Sequence, residues 1–160
     1  VTPAVTMSSD LTVENNLVVD NAIQSANLTV SGTTTANGIA VFEQGVIEGF
    51  SSLASATGTV VHNCANGHIF RHTGISADFT ANFTNLGITD DHGTMVSLIL
   101  VQGGTAYIPT AVQIDGAAQT ILWQGGSAPS GTDSGTDIVS FSITQSAGTR
   151  TVLGQLTSYS

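Results

Sequence analysis

Two arginines and eleven carboxylates carry all the formal charge of this 160-residue chain, and it has no lysine. That scarcity constrains the fold more than any motif does. Soluble helices are normally filled with Glu, Lys, Arg, Leu and Ala, yet charged residues here amount to 8 %, against about 25 % in an average domain. Hydrophobic residues reach 41 %, so the chain is not of the disordered type, which pairs low hydrophobicity with high charge. What remains is Val, Ile and Thr interleaved with Gly, Ser and Asn, which suits strands and tight turns. An all-β fold is expected.

The same scarcity removes whole classes of function. Without lysine there is no phosphate-loop lysine, no Schiff base, no serine–lysine dyad and no lysine–asparagine cross-link. Arg71 and Arg150 face a net charge of −9, which argues against nucleic acid and against an anionic membrane surface as partners. The single cysteine, Cys64, has no partner for an intrachain disulfide and reads as a small buried apolar residue. The apolar run 95–101 has the length of a buried strand, not of a membrane span.

The chain changes character near residues 50–58. Before that point come short apolar–x–apolar triplets starting at Leu11, Leu17, Leu28 and Ile39, each followed by turn residues such as Asp20-Asn21 or Ser31-Gly32. Each triplet is too short to make a stable strand, and a repeat of this kind cannot bury its apolar face alone. Residues 1–54 therefore read as a repetitive, fibre-shaft-like β segment for attachment or trimerisation, the alternative being ordinary short strands packed on the second half. Its interface side chains would be Leu11, Val13, Leu17, Val19, Leu28, Val30, Ile39 and Val41. The span 46–56 is the best candidate for a short helical link.

Residues 55–160 read as an antiparallel β-sandwich or jelly-roll-like head domain. Strands are expected at 59–62, 67–73, 78–85, 94–102, 106–114, 119–124, 137–145 and 150–158, with Val139, Phe141 and Ile143 on one face. Asp115-Gly116 suggests a hairpin with a loop longer than two residues, and 127–136, rich in Ser, Gly, Pro and Asp, should be an exposed loop.

Candidate chemistry is sparse. His68 and His72 would share a strand face with Phe70, and His62 stands two residues before Cys64. Half-buried strand histidines explain them better than a metal site, because the spacing announces no closed tetrahedral ligand set. Asp90-Asp91-His92 reads as a polar turn rather than a calcium loop, which needs more oxygen ligands. No Gly-x-Ser-x-Gly elbow is present. No catalytic residue, metal or cofactor is expected, and the chain reads as non-enzymatic. Trp123 reads as core; exposed beside the 125–135 loop it would instead stack on a sugar ring, with Ser130, Asp133 and Asp137 as further ligand-facing residues.

The strings VSLILVQGGTAYIPTAVQIDG (96–116), TILWQGG (120–126), VLGQLTSY (152–159) and FTANFTN (79–85) resemble the C-terminal domain of virion structural and tail-fibre-like proteins of marine tailed phages, notably those of cyanobacteria. The resemblance covers roughly residues 58–160. It implies a component on the exterior of the virion, a homotrimer without catalysis, contacting other capsid or tail proteins. A tail fibre or appendage and a capsid decoration protein are both compatible with it. The alternative is a receptor- or carbohydrate-binding tip whose partner is a host-surface glycan.

Overall fold

A computed structural model describes residues 28–31 and 34–160. Leu11, Val13, Leu17 and Val19 lie outside the described residues. The chain divides into two compact units, Val1–Glu43 and Gln44–Ser160. The second unit contains eight strands: β1 (Phe50–Asn63), β2 (Ile69–Thr84), β3 (His92–Val101), β4 (Pro109–Ile114), β5 (Ala117–Gln119), β6 (Ile121–Trp123), β7 (Thr136–Ser146) and β8 (Thr149–Tyr159). The expected β class holds.

Pairing is mixed rather than antiparallel. The ladders β4–β5 and β7–β8 are antiparallel, as the Asp115-Gly116 and Ala147-Gly148 turns led us to expect, and so is the non-local β3–β7 ladder, but β1–β2, β2–β3, β2–β4 and β6–β8 are parallel. Turn residues report only local chain reversals. Parallel partners meet after the chain has travelled around the domain, and nothing local marks them.

The β1–β2 pair shows how the chain travels. Phe50 lies beside Ile69 and Asn63 beside Thr84. Were β1 straight, its ends would stand about 43 Å apart, yet the link 64–68 spans only about 20 Å at full stretch. Both strands must therefore bend back on themselves. The bends are visible in the backbone. In β1 the register shifts between Ala56 and Gly58, beside positive φ at Ser55 and Gly58; in β2 the bend has Gly74 at φ 66. There the buried parity of β2 switches, from Phe70 and His72 to Ile75, Phe79, Ala81 and Phe83. One turn of 3-10 helix, Cys64–Asn66, closes the circuit, with the Asn63 side chain accepting from Ala65 N–H.

Bending puts β1 and β2 into two layers at once. Their first legs extend β3, β7, β8 and β6, because Ile69–His72 pairs with Ser97–Leu100. Their last legs extend β4 and β5, because Thr80–Phe83 pairs with Ala111–Ile114. The layers face one another across an aromatic core. Phe83 meets Phe141 of β7 at 5.5 Å between ring centroids, and Phe141 meets Trp123 at 5.8 Å. Val139, Phe141 and Ile143 are all fully buried, as their alternation predicted.

Three further expectations need correction. Asp115-Gly116 is a two-residue turn, with Ile114 opposite Ala117 and φ of 50 and 82 at the turn residues; positive φ at both positions is the type I′ signature, which follows strand twist. The segments 67–73 and 78–85 belong to one bent strand. The span 46–56 holds no helix: 46–49 has no regular structure and β1 begins at Phe50, where pairing with β2 outweighs local preference.

Phe141 touches both Phe83 and Trp123, so Phe141→Ala should cost about 3–5 kcal/mol, read as a fall in the urea midpoint at unchanged slope. A Cβ on Gly154 would stand 2.7 Å from Trp123 Cε3. Gly154→Ala should accordingly cost about 1–3 kcal/mol and alter the Trp123 emission, while Gly103→Ala, with open space around it, leaves both unchanged.

Candidate functional site

The arm that precedes the β domain carries the first group of expected site residues. Leu28, Val30, Ile39 and Val41 are 71, 50, 93 and 76 % exposed. Phe42, Val46, Ile47 and Phe50 are exposed as well, Ile47 completely. None of 28–31 or 34–49 lies in a strand. The sequence reading missed the last four. Their signal lies in the run VFEQGVIEGF (41–50); Val46, Ile47 and Phe50 fall within the span 46–56 read as a helical link, and Phe42 directly follows the Ile39–Val41 triplet. A scattered exposed apolar residue needs no explanation; here such residues recur in both units, Leu28 to Phe42 in the first and Val46 to Phe50 in the second.

The second group does not form one ligand surface. Ser130 and Asp133 line an open cavity of about 350 Å³ together with Asp78, Thr110 and Pro129. Asp133 Oδ1 accepts from Ala106 N–H at 2.7 Å and Asp78 Oδ1 from Ile108 N–H at 2.9 Å, so both carboxylates pin the 106–108 segment that floors it. Asp137 is elsewhere. It is fully buried, and its Oδ2 accepts from Gln102 Nε2 and Thr132 N–H. The same Gln102 amide clasps the backbone of Tyr107, donating to its carbonyl and accepting from its N–H. Asp137 therefore ties the 127–136 loop to the core and does not face a ligand. Alternation along β7 could have shown this, since Asp137 continues the inward series of Val139 and Phe141.

Trp123 is half-buried against Phe141, as a core residue. It also contributes to the floor of an open groove of about 500 Å³ on the outer sheet face. There Met95, Ser142, Leu153 and Leu122 are register neighbours across β3, β7, β8 and β6. The three apolar members are exposed; the small serines between them make the surface concave.

The histidines are not brought together as sequence spacing suggested. His72 is fully buried and meets His62 at 2.9 Å between Nε2 atoms. His68 sits just before β2, half-exposed, with Nδ1 4.0 Å from Glu48, whose carboxylate also accepts from His68 N–H. Asp90 accepts from Gly148 N–H and Gln145 Nε2, and these donors hold its carboxyl below the usual range. Asp91 adopts φ 61 in the turn into β3. The acidic pair thus braces the β7–β8 turn. Among the described residues no three of His, Cys, Asp and Glu cluster as metal ligands.

Asp137→Ala would leave Thr132 N–H without its acceptor and Gln102 Nε2 with only the Tyr107 carbonyl, at a cost of about 1–3 kcal/mol. Limited proteolysis should then cut within 127–136 faster than in the parent protein, and Asp137→Asn, which keeps an acceptor, should be milder by both measures.

No family model, curated protein or solved structure matches the chain.

Proposed function

We propose that this chain is a non-enzymatic structural subunit on the exterior of a phage particle, acting as one copy of a homo-oligomer, with three copies the expected number. The observation that carries the proposal is the exposed apolar arm. Leu28, Ile39, Val41, Phe42 and Ile47 meet water on a single chain, although full burial of such a side chain is worth about 1.5–3 kcal/mol. Identical arms gathered around one axis would bury them against each other, which is how repeat segments without their own cover reach stability. The β domain has its own core. Its job would be mechanical: resisting unfolding and proteolysis while the arms join subunits and meet the capsid or tail. The short strings quoted above supply the phage assignment.

A second reading, a glycan-binding tip, draws on the polar cavity beside the 127–136 loop. Ser130, Asp133, Asp78 and Thr110 offer hydroxyl and carboxylate groups at its wall, the chemistry that sugar hydroxyls take up.

Light scattering on the purified chain should return a trimer mass, and Ile39→Ser/Val41→Ser/Ile47→Ser should move it toward monomer while leaving the circular dichroism of the β domain intact. A stable, soluble monomer for the parent chain at high concentration would defeat the assembly reading. On whole particles, several hundred copies would select decoration over a fibre. Retention of glycan-array binding in Ser130→Ala/Asp133→Ala would remove the support for a tip site at this cavity.

A further inference from the structure

The core holds a polar contact that neither the assembly reading nor the cavity uses. His62, on the last leg of β1, and His72, on the first leg of β2, are both fully buried and face each other at 2.9 Å between Nε2 atoms. One ring donates and the other accepts, so the contact has room for one proton. The Nδ1 atoms of both rings lack a hydrogen-bond partner. The walls are apolar: Phe70 stands 4.9 Å from His62 edge-on, Phe83 5.4 Å from His62, and Phe79 5.3 Å from His72. The turn after β1 contributes Cys64, whose Sγ lies 3.7 Å from the His62 carbonyl oxygen, with the Asp115 carboxylate of the β4–β5 turn near enough to act on that thiol. Arg71, the residue before His72 on β2, falls on the opposite parity and is half-exposed.

We infer that the His62–His72 pair is an acid-sensitive latch, holding the β1–β2 bend closed when neutral and releasing β1 locally when protonated, while β3, β7 and β8 stay folded. A second proton would set two N–H donors against one another between phenyl rings, with only the Val60 and Asn82 carbonyls near His62 to offset it. β1 is the strand to yield, because among the described residues it pairs with β2 alone. Low-stability openings arise at such edges, while the antiparallel β3–β7–β8 ladders retain their partners on both sides of β7.

The direction with pH follows from the rings themselves. Burial, with repulsion from His72 second, pushes His62 down to about 3, and the nearby Val60 and Asn82 carbonyls only partly oppose this. Burial pushes His72 down to about 4. Both lie below the ordinary value of 6.5 that the opened segment would regain. The latch is thus fully effective above pH 6.5 and is lost as pH falls toward 4. Each proton taken up on opening shifts the closed-to-open ratio by roughly tenfold per pH unit in that window.

Cys64, buried and the only thiol in the chain, reports the opening directly. The full chain is mixed with 4,4′-dithiodipyridine, which labels thiols in acid, and rates are normalised to glutathione at each pH while Trp123 emission is followed in parallel. The expected result is slow labelling at pH 7 and at least a hundredfold rise by pH 4.5, with Trp123 emission unchanged. His72→Gln, which keeps a donor for His62 but takes up no proton, should flatten the profile markedly; His62→Leu/His72→Phe should abolish it. Protection of Cys64 down to pH 4, labelling that rises only together with loss of the Trp123 signal, or an unchanged profile in His72→Gln would each overturn the latch. Should the double variant fail to fold, His72→Gln decides.

Discussion

The domain depends on bending two strands. A straight β1 and β2 would be edge partners in one flat sheet with one face bare. Bent at Ser55–Gly58 and at Gly74, each supplies one leg to either layer, and the two layers then cover each other. The core is the direct result: Phe70 and His72 from the first legs meet His62 and Phe79 from the last. The covalent continuity of β1 and β2 across the bend fixes the spacing between layers without any disulfide. It also explains why small or left-handed-tolerant residues sit at the bends, where a β-branched residue would resist positive φ.

How much of this was legible in the sequence follows from the range of each signal. The alternation Val139, Phe141, Ile143 is local and strong, and it correctly placed the inner face of β7. The Asp115-Gly116 and Ala147-Gly148 turns were legible by composition, though only the register shows that the first is as tight as two residues. The parallel ladders were not legible, because a partner one circuit away leaves no mark on neighbouring residues. The parity switch in β2 was hidden for a related reason: read as two strands, 67–73 and 78–85 each alternate well, and only the fold shows one chain turning a corner. The site was less legible still. Asp133 and Ser130 share a cavity as grouped, but Asp137 belongs to the core, and the His62–His72 contact joins residues that spacing had assigned to other partners.

Buried polar groups in this domain are few and each has a definite office. Gln102 and Asp137 organise the 102–108 and 127–136 loops around one carboxylate oxygen. His62 and His72 join the bend. A lysine-free chain has little scope for buried ion pairs, so these contacts rely on neutral or singly charged hydrogen bonds, whose geometry specifies position more than it adds stability. Such contacts also concentrate sensitivity: a change of protonation at one of them has no neighbouring cation or carboxylate to absorb it.

The division between arm and domain has an electrostatic side. Copies carrying −9 each repel, and with only two arginines there are few attractive pairs to offset that repulsion. Association through charge complementarity between like copies is therefore poorly served. Apolar contact is not. The exposed series from Leu28 to Phe50 is interrupted by only two carboxylates, Glu43 and Glu48, and the second is engaged with His68 of its own chain. A surface of this kind loses little on desolvation and gains most of what apolar burial gives, while the acidic remainder would keep the proposed assemblies apart. On the proposed assembly, the means of joining and the charge that opposes non-specific association would lie in different stretches of sequence, as a subunit added once to a closed assembly requires.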